Sequence, residues 1–188
     1  ALTLEIAELF EQADVIVAHN AKRFDVPLTL TRMLYNGLVP PSPYKVVDTL
    51  EIAKKVFKFP SNSLDSLASY LGLDRKMHHE GFDLWKKCTA GEDEAFETML
   101  EYNRQDVVVL EQVYEKLAPW YSQHPNLSVY YNDGQHHCPL CGSTDFTEVD
   151  KHAFTQQSEF YAYRCNHCNK ISRSKKNLRS KESMAEHF

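Results

Sequence analysis

The sequence predicts an α/β fold followed by a small β module, and three features carry that prediction. A short apolar run, Val15-Ile-Val-Ala18, stands between two helical patterns. A long helical pattern spans residues 92–117. Two Cys-x2-Cys pairs, Cys138/Cys141 and Cys165/Cys168, lie near the C-terminus. At 188 residues, 43% apolar and 12% aromatic, the chain can bury one ordinary core and carry a small module besides.

The first element is a helix, because Leu2, Ile6, Leu9 and Phe10 recur at helical spacing; Glu5 and Glu8 read as its solvated face. The run Val15 to Ala18 reads as a buried parallel strand, since a strand covered on both faces is apolar without alternation. It ends in His19-Asn20, and Phe24-Asp25 follow where the next helix begins. Sites in open α/β sheets form beyond the carboxyl ends of such strands. Asp25, two residues before Pro27, also suits a helix N-cap with proline in the first turn. Both readings of Asp25 stand at this point. Further on, Asp48 with Glu51 reads as a capping box, and Asp65 as charge in a first helical turn.

The helix over residues 92–117 is more decisive. Its apolar residues Met99, Leu110, Val113 and Leu117, continued at 3-and-4 spacing, place Tyr102 and Asp106 on the inward stripe. A buried unpaired carboxylate costs several kcal/mol or protonates, so Asp106 needs a cation, a base or a metal. A buried ion pair with Arg104 or Arg32 is the plain alternative. Asp25 is the second candidate acid. Two carboxylates about 4 Å apart repel by about 4 kcal/mol at an effective dielectric near 20. A divalent cation removes that repulsion, and Mg²⁺ favours carboxylate oxygens.

Beyond residue 117 the helical pattern breaks at Pro119, Pro125 and Asn132-Asp133-Gly134, which reads as a linker over residues 121–135. The cysteine pairs follow, separated by 23 residues. Each Cys-x2-Cys turn directs two thiolates at one tetrahedral Zn²⁺, and two strands, residues 145–149 and 159–164, form the hairpin between them. This assigns Cys138, Cys141, Cys165 and Cys168 to a structural zinc in a ribbon over residues 136–172. His136, His137 and His167 read as surface residues, with His137 or His167 able to replace a thiolate; Cys88 reads as a small core residue. The net charge of −5 divides unevenly. Residues 1–135 carry 13 basic and 20 acidic side chains, and residues 136–188 carry 8 and 6. Residues 164–181 hold seven Lys or Arg and no acid, ending in a basic tail over residues 173–188. Basic residues beside Tyr161 and Tyr163 suit phosphate contact with base stacking. The positive, aromatic segment over residues 75–87 reads as a loop between helices. There is no 18-residue apolar run and no signal-peptide pattern, so an intracellular, cytoplasmic protein without membrane contact is expected.

His19-Asn20-x-x-x-Phe24-Asp25 resembles the second motif of the DEDD (DnaQ-like) 3′–5′ exonucleases. Tyr102-Asn-Arg-Gln-Asp106 resembles their third motif in its Tyr-x-x-x-Asp form. Val46-Val-Asp-Thr-Leu50 and residues 63–73 match the same order and spacing, closest to the exonuclease domains related to family B DNA polymerases. The resemblance covers residues 1–120. It implies an RNase H-like exonuclease fold and hydrolysis of nucleic-acid 3′ ends, DNA ahead of RNA, with two Mg²⁺ or Mn²⁺ ions. It implies Asp106 as a metal ligand, Asp25 as a holder of the cluster, and Tyr102 orienting water. His19, Asn20 and Phe24 would line the nucleotide pocket. The family's first motif, Asp-x-Glu on its first strand, does not occur upstream of His19, so the N-terminal strands are expected to be missing here. The zinc ribbon is expected to aid substrate binding or take a protein partner. The alternative is a non-catalytic, reduced exonuclease-like module that binds nucleic acid or protein.

Overall fold

The computed structural model describes residues 2–73 and 82–179, which fall into two compact units, 1–117 and 118–188. Residues 75–81 of the positive segment, and the tail beyond Arg179 including Lys181, lie outside the described residues.

In the first unit the order is α1 (Leu2–Gln12), β1 (Val15–Ala18), α2 (Asp25–Tyr35), β2 (Lys45–Asp48), α3 (Thr49–Val56), α4 (Leu64–Tyr70), α5 (Phe82–Ala90) and α6 (Asp93–Leu117). The expected strand is β1, and it pairs parallel with β2 from Val15↔Lys45 to Ala18↔Asp48, with α2 as the crossover. All four β1 residues are only half-buried, where two-sided cover was expected. The reason is topological: among the described residues β1 has one neighbouring strand, so an edge stays open. In α1, Ile6 and Phe10 are half-buried, and the Phe10 ring meets Tyr44 edge-on at 5.1 Å. Leu2 and Leu9 of the expected stripe are exposed, and Glu5 and Glu8 face solvent as expected.

The core gathers along α6, which packs against α3, α4 and α5. Val109, Val113 and Leu117 are buried on its stripe, against a layer that includes Ile52, Ala53, Leu67 and Ala68. Asp106 lies one turn before Val109 and Leu110 on this same face, and both it and Tyr102 are half-buried. Arg104, one candidate ion-pair partner, pairs with Glu101. Cys88 is a core residue, clustered with Leu84 and Ala95 under Met99.

The second unit is a three-stranded antiparallel sheet in the order β3 (Phe146–Phe154), β4 (Glu159–Cys165), β5 (Ile171–Arg173). The hairpin was expected; β5, formed from residues assigned to the ribbon's end and the basic tail, was not. Its neighbours are held too: the Leu178 N–H donates to the Glu159 carbonyl and the Asn177 amide oxygen accepts from the Glu159 N–H. The segment read as a linker groups with this unit and contains the short 3₁₀ turn Leu127–Tyr130; another, Ala118–Trp120, precedes it. The Leu127 N–H donates to the Pro139 carbonyl, and Tyr131 stacks on His137 with ring centres 4.0 Å apart. His137 is therefore buried rather than at the surface. Its two ring nitrogens meet the Gly142 carbonyl at 2.7 Å and Asp133 Oδ1 at 2.9 Å. The Gly142 carbonyl and the Asp133 carboxylate raise its pKa, because both nitrogens must donate. Among the described residues, no helix is long and apolar enough to cross a membrane.

Gly142 sits at φ +74°, and a Cβ there would lie 2.1 Å from the Tyr131 hydroxyl. Replacing Gly142 with alanine forces both a left-handed alanine, costing about 1–2 kcal/mol, and displacement of Tyr131. Chemical denaturation of G142A should show the second unit unfolding earlier than in the parent chain, with Tyr131→Ala relieving part of the loss.

Candidate functional site

The turn after β1 is built by Asp48, the last residue of β2. Its side chain is buried and accepts backbone N–H groups from Asn20 at 2.9 Å, Lys22 at 3.1 Å, Leu50 at 3.0 Å and Glu51 at 3.4 Å. Two of these cap α3, as the capping-box reading expected. The other two fold the residues after β1 back onto the same helix end. Asn20 consequently takes φ +66°, a conformation that asparagine tolerates better than most residues. Glu51, instead of reaching back to Asp48, bonds Lys22 and Lys55, and those bonds, Lys22 first, hold its carboxyl below the ordinary value.

His19 is oriented by the same junction. Its Nδ1 lies 2.9 Å from Thr49 Oγ1, a fully buried hydroxyl that donates to the Ala18 carbonyl at 3.3 Å. The Thr49 hydroxyl thus ties the imidazole to the ends of both strands and fixes the plane of its ring.

These constraints open a cleft of about 620 Å³ lined by His19 and Asn20, by Leu50 and Lys54 of α3, by Asn62, Ser63 and Leu64 at the start of α4, and by Asp106 of α6. Of the residues expected from sequence, His19, Asn20 and Asp106 line it together, although 86 positions separate Asn20 from Asp106. Phe24, Asp25 and Tyr102 are not among its lining residues. Phe24 is 62% exposed, and Asp25 is exposed at the first turn of α2. Asp25 is the first helical residue, not the cap: Phe24 holds the N-cap position without a side-chain bond.

Lys54, Asn62 and Ser63 were not expected in a site. Asn62 brings an amide oxygen that is buried and without a hydrogen-bond partner among the described residues. Sequence carried a faint signal for this group: Ser63 caps α4 by accepting the Ser66 N–H, which fixes Asn62 as the residue just outside a helix. Lys54 follows Leu50 by one turn and shares its face. The cleft thus offers one cation, two amides, an imidazole and one carboxylate.

The second unit holds a metal site of another kind. The sulfurs of Cys138, Cys141, Cys165 and Cys168 all lie within 4.8 Å of one another. Cys138 and Cys168 approach to 3.6 Å, as do Cys141 and Cys165. Tetrahedral zinc with bonds of about 2.3 Å separates its sulfurs by about 3.8 Å, so the four thiols fit a zinc ion. Two matching knuckles set this geometry. The Gly142 N–H donates to the Cys138 carbonyl and the Asn169 N–H to the Cys165 carbonyl, and both donors sit at positive φ. Burial would raise the Cys165 thiol, but the Cys168 and His167 N–H groups outweigh it and bring the thiol down to about 7. Burial pushes Cys141 and Cys168 up, and a dication removes the mutual repulsion of four thiolates. His137, engaged by Gly142 and Asp133, is not a ligand in place of a thiolate; His167 is exposed.

Two measurements check these constructions. Asp48→Ala should lower the stability of the first unit by about 3 kcal/mol in urea denaturation, because four N–H groups lose their acceptor, and Asp48→Asn should cost less. Elemental analysis should find one zinc per chain, and stripping it with a chelator should remove amide protection across β3, β4 and β5, since structural zinc contributes about 10–16 kcal/mol of apparent folding free energy.

Residues 1–118 match the family model of the RNase H superfamily. No curated protein matches the chain.

Proposed function

Because the chain belongs to the RNase H superfamily over residues 1–118, we propose that it is a metal-dependent 3′–5′ exonuclease that hydrolyses phosphodiester bonds at nucleic-acid 3′ ends. The observation that supports this best is the shared cleft of His19, Asn20 and Asp106 with Lys54 and Asn62. The ammonium of Lys54 offsets phosphate charge entering the cleft. The amides of Asn20 and Asn62 hydrogen-bond the terminal nucleotide. His19, held by Thr49, hydrogen-bonds a sugar hydroxyl. Asp106 orients the attacking water and accepts its proton, with the Tyr102 hydroxyl, one turn earlier on α6, as its helper. Phe24 gives an exposed ring for the terminal base, and Asp25 the second acid.

Mg²⁺ or Mn²⁺ is the cofactor this reading requires. Among the described residues Asp106 is the single carboxylate lining the cleft, while a two-cation centre needs more oxygen ligands than one side chain supplies. These residues do not make up such a centre by themselves. The zinc ribbon serves to hold substrate or partner, DNA ahead of RNA. A cytoplasmic location goes with this reading, because thiols available to zinc persist there.

A second reading has one observation in its favour. A single carboxylate among the described lining residues suits a cleft that binds a nucleic-acid end without cutting it. Digestion of a 5′-labelled oligonucleotide with Mg²⁺ or Mn²⁺ separates the two. The exonuclease gives a ladder shortening from the 3′ end, and Asp106→Ala slows it by about 100-fold or more. Equal rates in the two proteins would remove Asp106 from the chemistry. Retention of the oligonucleotide without any ladder would favour the binding reading.

A further inference from the structure

The second unit contains a cavity of its own, of about 510 Å³, which neither the zinc site nor the cleft uses. Three cations line it, Lys170, Arg173 and Lys175, and among the described residues no carboxylate does. This is unusual in a chain with 26 acidic residues against 21 basic ones. Two of these cations are held in place. Lys170 Nζ donates to the Tyr121 carbonyl at 2.7 Å. The Arg173 guanidinium lies 4.0 Å over the buried Phe160 ring, which leaves its other face and its N–H edge for a ligand. Between them in β5, Ser172 presents a hydroxyl that is buried and has no hydrogen-bond partner among the described residues. A buried hydroxyl without a protein partner is able both to donate to and to accept from a ligand oxygen.

Aromatic rings border the same cavity. His136 lines it, and its ring lies 5.1 Å from Phe146 and 6.1 Å from Tyr163, the cross-strand partner of Ser172. Fixed cations, an open hydroxyl and an adjacent ring cluster are the complement of a phosphate attached to a flat heterocycle.

We propose that this cavity is a nucleoside-phosphate site, occupied by one nucleotide of a single strand, with Arg173, Lys175 and Ser172 on the phosphate and His136 beside the base. The choice of nucleotide rests on the nuclease reading; the anion site itself rests on the cavity. It makes the ribbon a second point of attachment for the strand, separate from the residues assigned to cleavage.

The test uses the full, zinc-loaded chain, ¹⁵N-labelled, in buffer free of Mg²⁺ and Mn²⁺. Titration with dTMP, inorganic phosphate and a dT12 oligonucleotide should shift the amide resonances of Ile171–Arg173. The site is expected to bind dTMP at least about fivefold more tightly than phosphate. Tenfold tighter binding of dT12 than of dTMP identifies the strand as the source, and equal affinity identifies free nucleotide. The double variant Arg173→Ala/Lys175→Ala should weaken dT12 binding by about tenfold and flatten its dependence on log salt by about 0.7, for one single-strand phosphate contact. Ser172→Ala, which changes no charge, should weaken dTMP by a few-fold with zinc content unchanged. Phosphate binding as well as dTMP, or the double variant keeping parental affinity and salt slope, would overturn the proposal. Loss of cleavage in Asp106→Ala with these shifts intact bears on the cleft alone.

Discussion

The carboxylate of Asp48 is the constraint on which the first unit's cleft depends. One buried side chain accepts four backbone N–H groups from two segments separated by 28 positions. It ends β2, starts α3 and bends the chain leaving β1, so strand, helix and turn are fixed relative to one another. The Asn20 backbone is driven into a left-handed conformation, and His19 meets Thr49 because β1 and β2 end in register at Ala18 and Asp48. A negative charge against a helix N-terminus is favourable in itself. Here the same charge also decides which way two cleft residues point. Lys22 and Lys55 around Glu51 add a second, weaker tie on the surface of that junction.

The second unit solves a different problem. Its most completely buried side chains include two of the metal-binding cysteines, Cys138 and Cys165. Too little apolar surface exists there for a core of ordinary strength, and four converging thiols provide the cross-link instead. The stacked rings of Tyr131 and His137 lie beside one knuckle, and Gly142 leaves the room that Tyr131 fills. The cationic cavity beside these rings exists because β5 pairs with β4, which carries Arg173 over Phe160 and turns Ser172 inward.

Much of this was legible in the chain. The inward position of Asp106 followed from 3-and-4 spacing along α6, and neighbouring Val109 and Val113 are fully buried on that face. The capping role of Asp48 and the convergence of four cysteines followed from spacing of a few residues, where local geometry leaves few choices. Expectations failed where a residue's surroundings come from distant chain. Residues 121–135 look like a linker because prolines and an Asn-Asp-Gly turn break the helical pattern around them, yet Tyr131 and Leu127 dock on the ribbon. Residues 173–179 look like a tail because they are charged, yet Glu159 anchors them through Leu178, Asn177 and Arg179.

The sequence by itself determined the α/β class, the strand at Val15–Ala18, the capped helix start at Asp48, the inward carboxylate and the four-sulfur site. Each rests on periodicity or on contacts within a few positions. Only the tertiary structure decided that Asp48 also holds Asn20 and Lys22, and that Lys54 and Asn62 join His19 and Asp106 in one cleft. It alone gathered three cations and an unpartnered hydroxyl around a cavity in the ribbon. The physical reason is that hydrogen-bond satisfaction and burial are set by whichever groups the fold brings within about 3 Å, and separation along the chain carries no record of that distance.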